Sequence, residues 1–165
     1  MRAWAVVVAS LGSLALIAAP AHAQGRSIRT AIGYAFSGYL ESGGGSAPLG
    51  AFVSVASTGK VGIEGDVAYH RDSESGITLN TVILGVGPRF APGSGTAQPF
   101  LHVLGGLRYD SAFGTSNTAP GGSAGIGADI PVGSSMFLRL GADFQIFFDE
   151  GTNLKTLRLA AGIAF

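Results

Sequence analysis

Along most of the chain, from about residue 27 onward, bulky apolar side chains recur at every second position. The intervening positions hold glycine, alanine and most of the charge. A period of two is the repeat of an extended strand, whose successive side chains point to opposite faces, and no comparable 3.6-residue pattern runs through residues 24–165. Gly, Pro, Ser, Asn and Asp break the alternation into eight segments. Strands are predicted at about Ser27–Leu40, Leu49–Ser57, Val61–Asp72, Ile77–Phe90, Pro99–Tyr109, Gly122–Pro131, Met136–Phe148 and Leu154–Phe165. The seventh shows the pattern best: Leu138, Leu140, Ala142, Phe144, Ile146 and Phe148 share one face, and Arg139, Gly141, Asp143 and Gln145 the other. In the second the faces are poorly separated.

Eight strands of ~9–11 residues, the length that crosses a bilayer at a tilt, leave only short connections. No helical crossover fits, so the strands must form an antiparallel meander. Across the strands nearly all of the charge falls on the small, glycine-rich face. It comprises Arg29, Arg89, Arg108, Arg139 and Arg158 against Glu64, Asp66, Asp129 and Asp143, with His70 and His102 beside them. A soluble lipocalin-like barrel would turn the apolar face inward. A transmembrane barrel turns it into lipid and the polar face into the lumen. Only 12% of residues are charged, about half of the ~25% usual for soluble domains, which is too little to coat a soluble barrel. The near balance of lumenal charge allows the groups to pair out of water. The expected fold is therefore an all-β, eight-stranded antiparallel up-and-down transmembrane barrel. Tyr39, Tyr69, Tyr109 and Phe148 at one set of strand ends, and Phe90, Phe100, Phe137 and Phe165 at the other, are expected to form two interfacial aromatic girdles.

The first residues read as an export signal. Met1-Arg2 is a short basic start, residues 3–19 are uncharged and largely apolar, and Ala21-His22-Ala23 has the small-x-small form of a cleavage site. Cleavage after Ala23 removes 23 of the 165 residues and leaves a barrel domain over 24–165. The 10 basic and 10 acidic residues balance, which argues against a nucleic-acid partner. The chain has no cysteine, which excludes disulfide staples and thiolate metal sites.

An export signal, eight alternating strands and the closing segment LKTLRLAAGIAF together resemble small bacterial outer-membrane barrels of the OmpA/OmpX type. The segments GVGPRF (Gly85–Phe90) and QPFLHVLGGLRY (Gln98–Tyr109) resemble outer-membrane β-barrel domain proteins as well. The resemblance covers essentially all of residues 24–165. It implies insertion among outer-membrane lipids by the barrel-assembly machinery, with Leu157, Leu159, Ile163 and Phe165 as the C-terminal assembly signal. It also implies that both chain ends lie in the periplasm. Loops 41–48, 72–76, 110–120 and 149–153 would then face outside, and turns 57–60, 91–98 and 131–135 would be periplasmic.

Signals for chemistry are sparse. Some barrels of this size modify lipid A with a His, a Ser and an acid at the rim, and His70, Asp72, Ser73 and Glu74 lie close together in the sequence. No enzyme motif accompanies them, and a solvated polar hairpin explains them as well. His102 with Asp66 or Asp129 is too sparse a set for a metal site, so a hydrogen-bonded lumenal histidine is expected. Gly43-Gly44-Gly45 lacks the strand–helix context of a phosphate loop. No catalytic, metal or cofactor site is expected. The lumenal charges read as a structural ion network in a barrel of envelope or surface-interaction role. A lipid-modifying enzyme, a narrow channel and a soluble binder are the alternatives.

Overall fold

A computed structural model describes residues 27–40, 46–74, 77–93, 95–149 and 151–165. The expected export signal, with Ala21 and Ala23, and the Gly43–Gly45 segment lie outside these residues. Eight strands, β1 (Ile28–Tyr39), β2 (Ser46–Ser57), β3 (Val61–Glu74), β4 (Ile77–Phe90), β5 (Gln98–Ala112), β6 (Thr115–Pro131), β7 (Phe137–Asp149) and β8 (Thr152–Ala164), follow one another around a closed antiparallel barrel. The seam between β1 and β8 runs from Ala31↔Ala164 to Tyr39↔Thr156. Reciprocal 2.9 Å bonds between Thr30 and Phe165 extend it. Closure leaves no sheet edge along the wall, which is what lets strands sit in hydrocarbon. Among the described residues no helix is long and apolar enough to cross a membrane.

Face assignment follows the alternation. Tyr34, Ile63, Val103 and Ile126 are about 60% exposed or more on the outside, whereas Arg139, Asp143 and Arg158 are 3–4% exposed inside. A soluble barrel would have the opposite polarity. The unclear phase of β2 resolves with Gly50, Phe52, Ser54 and Ala56 inward.

Three expectations need correction. First, residues 110–120 are not an open loop. β5 and β6 pair without interruption to Ala112↔Thr115, around a two-residue turn in which Phe113 (φ 52°) and Gly114 (φ 80°) are both left-handed. That is the hairpin geometry whose twist matches its strands. Second, two other connections at the same rim shrink the same way, β3–β4 pairing to Glu74↔Ile77 and β7–β8 to Asp149↔Thr152. Third, only part of the aromatic set lies on the lipid face. Tyr69, Tyr109, Phe148, Phe90 and Phe165 are outward, but Phe100 is buried in the lumen, and Tyr39 and Phe137 contact lumenal arginines.

Glycines set how closely the strands approach. Gly105 and Gly106 are neighbours on β5 with opposite surroundings. A Cβ at Gly105 meets open space, whereas one at Gly106 would collide with the carbonyl of Leu84 and the backbone of Gly85. Gly106→Ala is therefore expected to destabilise the folded barrel by ~1–3 kcal/mol, the usual cost of overpacking. Gly105→Ala should be neutral or slightly stabilising. Urea unfolding of the two variants in lipid vesicles measures the difference, and equal midpoints would contradict this packing.

Candidate functional site: the charged lumen

The lumen is built from the inward positions of all eight strands. Strands β1, β3, β5 and β7 run away from the mouth that holds the chain ends, and β2, β4, β6 and β8 run back. Inward residues near the starts of the first set therefore meet those near the ends of the second. This brings Arg29, Glu64, Arg89, Asp129 and Arg139 together.

Asp129 is the hub. Its carboxylate is 0% exposed. It accepts Arg139 Nε at 2.7 Å and Nη2 at 2.9 Å, Arg89 Nη2 at 3.0 Å and Arg29 Nη1 at 3.0 Å. Glu64 accepts from Arg89 Nη1 (3.2 Å) and Arg139 Nη1 (3.3 Å), and His102 Nδ1 lies 3.0 Å away. The His102 ring bridges onward to Asp143, with Nε2 2.6 Å from Oδ1. Farther along the axis Arg158 donates two bonds to Asp66, at 2.7 and 3.2 Å, and its Nη1 lies 3.7 Å from Asp143. Bidentate guanidinium–carboxylate pairs of this kind are the strongest side-chain hydrogen bonds.

Arg108 stands apart near the far rim, where its Nε donates to Asp110 at 2.7 Å and its Nη2 to the Tyr39 hydroxyl at 2.9 Å. The structure therefore connects eight of the nine sequence-selected lumenal residues, together with His102. It pairs the ninth, Arg108, with Asp110, which the sequence reading left in a loop.

Several partners escaped the sequence reading. Phe100 lies under two guanidiniums, with Arg89 3.8 Å and Arg139 5.1 Å from its ring centre. Arg29 lies 3.8 Å over Phe137, and Arg158 5.3 Å from Phe52. An aromatic face attracts a desolvated cation, so these rings belong to the ion network. Ser54 and Gln98 accept from Arg139 and Arg29. The signal was available for Phe100, which shares its phase on β5 with His102 and Arg108.

His102 does not join Asp66 or Asp129. Its two partners are Glu64 and Asp143, and no metal-binding cluster of His, Cys, Asp or Glu occurs among the described residues. His70 and Ser73 are not brought together either. His70 is buried on the lumenal face with its ring against Gly50. Ser73 is on the exposed outward face, bonded to Thr78.

A lumen of paired arginines and carboxylates inside an apolar outer surface is the arrangement of a small membrane barrel. Residues 7–165 match the outer membrane protein beta-barrel domain family. The chain belongs to that family. It is a protein of the bacterial outer membrane.

Solved barrels share the fold at low identity. Neisserial surface protein A is 14% identical and superposes with a TM-score of 0.71, covering 86% of this chain and 98% of its own. Ail, the attachment invasion locus protein of Yersinia pestis, is 21% identical with a TM-score of 0.52, over 84% and 97% of the two chains. OprG of Pseudomonas aeruginosa is 11% identical with a TM-score of 0.55, over 83% and 93%. No curated protein matches the sequence.

The hub carboxylate should be the costliest charge to remove. Asp129→Asn leaves three largely buried guanidiniums around a neutral amide, for an expected loss of ~3–5 kcal/mol. Asp110→Asn acts on a side chain 24% exposed at the rim, and about 1 kcal/mol is expected there. Denaturant titration of both variants in the same vesicles compares them.

Proposed function

We propose that this protein is a non-enzymatic outer-membrane barrel whose lumen is sealed by its ion network and whose task is to stabilise the envelope and present a surface. The observation that supports this best is the occupancy of the bore. Arg29, Arg89, Arg139 and Arg158 meet Glu64, Asp66 and Asp129 across it at hydrogen-bond distance, His102 joins Glu64 to Asp143, and Phe100 fills the space between. Eight strands enclose little more than their own side chains, and a lumen filled in this way has no bore for a general porin.

The presented surface is the β5–β6 hairpin. Its tip residue Phe113 is 77% exposed, and its distal strand is the polar, uncharged stretch Thr115-Ser116-Asn117-Thr118. Under the orientation with both chain ends in the periplasm, this hairpin rises from the cell surface. The name of Ail, an attachment invasion protein that has also been crystallised with the heparin analogue sucrose octasulfate, is consistent with a surface role for a barrel of this shape.

Two expectations from the sequence belong to the same reading. Leu157, Leu159, Ile163 and Phe165 stand in one exposed outward row on the closing strand, which suits recognition by the barrel-assembly machinery. Residues 1–23, cut after Ala23 at the Ala21-His22-Ala23 site, serve as the export signal.

The test combines three measurements. The protein should migrate anomalously on SDS gels until boiled. It should add no current above the lipid baseline in planar bilayers. Cells carrying His70→Ala or Ser73→Ala should show lipid A of unchanged mass spectrum. Ohmic steps from the wild-type protein, or altered lipid A in either variant, would overturn the proposal.

A further inference from the structure

The mouth that holds the chain ends opens onto a vestibule of about 250 Å³. Arg29, Lys60, Arg89 and Gln98 line it together with the β2–β3 turn, and no carboxylate side chain is among its lining residues. Arg29 is fixed there. Its Nη1 donates to Gln98 at 2.8 Å and to Asp129 at 3.0 Å, and its guanidinium lies on the Phe137 ring. Its Nε and Nη2 have no acceptor among the described residues, and the side chain is 16% exposed. The result is a pre-oriented guanidinium with an unused N–H edge bordering an open cavity.

The local charge points the same way. Arg29, Arg89 and Arg139 converge on only two carboxylates, Asp129 and Glu64. Lys60, exposed on the adjacent turn, adds a further cation at the entrance. Excess positive charge in a partly desolvated recess attracts an anion, and a planar guanidinium edge fits the paired oxygens of phosphate or carboxylate.

We propose that this vestibule is an oxyanion-binding site. The Arg29 edge takes two oxygens of a phosphate or carboxylate group, Lys60 closes over it as a point charge, and Arg89 supplies positive potential from the floor.

Protein extracted from outer membranes in a neutral detergent is titrated with inorganic phosphate at constant ionic strength, with binding read by calorimetry. Saturable one-site uptake is expected. Lys60→Gln and Arg29→Gln should each weaken it by roughly tenfold, the loss of one charge-assisted contact. The heat-dependent gel shift reports folding of each variant. Lys60 lies on an exposed turn, so K60Q carries the result if R29Q does not fold.

A second arm finds the source of the anion. In phosphatidylcholine vesicles, uptake that vanishes when phosphatidylglycerol is added assigns the site to a lipid headgroup phosphate, and uptake that persists assigns it to a soluble oxyanion. Absence of saturable uptake, or an affinity that K60Q leaves unchanged, overturns the proposal.

Discussion

The structure depends on charge being neutralised where water is scarce. Asp129 of β6, with no exposed surface and three guanidiniums on two oxygens, gathers side chains from β1, β4 and β7. Taking an ion out of water costs several kcal/mol, and only close pairing with good geometry offsets that. The network therefore constrains the barrel across its whole circumference. A one-residue slip in any strand but the uncharged β2 would send its charge into lipid and leave its partner unpaired. In this way the ion pairs specify the register that the hydrogen-bonded ladders alone would leave ambiguous.

The glycines make that interior possible. Positions such as Gly125, where an added Cβ would strike Asp143 and His102, and Gly127, where it would strike Phe100, have no side chain because their neighbours' side chains fill the space. A narrow cylinder cannot hold a large residue at every inward position. Alternating long charged groups with glycine and alanine lets the long ones reach across the axis. The inward apolar residues Ala31, Ala35, Ala68 and Ala164 pack on the same principle.

Much of this was legible from the alternation alone. The phases of β3, β7 and β8 read directly, because each couples a run of bulky apolar residues to a charged or glycine row. Two features did not read. Phe100, Phe137 and Tyr39 sit near strand ends, where an interfacial girdle is the ordinary explanation for a ring, yet each contacts a lumenal arginine. Phase decides between the two roles, and Phe100 has that of His102. The outer half of the β5–β6 hairpin was hidden for another reason. Outside the bilayer neither face needs to be apolar, so the alternation fades while the ladder continues, and a Phe-Gly turn is not one of the strong Asn-Gly or Asp-Gly signals.

The low charge content takes on a different meaning once the faces are assigned. For a soluble domain 12% would be a deficit; here five arginines are placed inside, and the lipid-facing wall between the rims carries almost none. Their distribution along the axis is uneven. Three guanidiniums cluster toward the mouth with the chain ends. At mid-height Arg158 lies between Asp66 and Asp143, and Asp143 also meets His102. Beyond them Thr81 donates to Asp110, which also pairs with Arg108, and Thr156 donates to Gln145 at 3.0 Å. At that mouth three guanidiniums face two carboxylates, and the excess positive charge stands at the entrance to the vestibule, where an anion from solution compensates it.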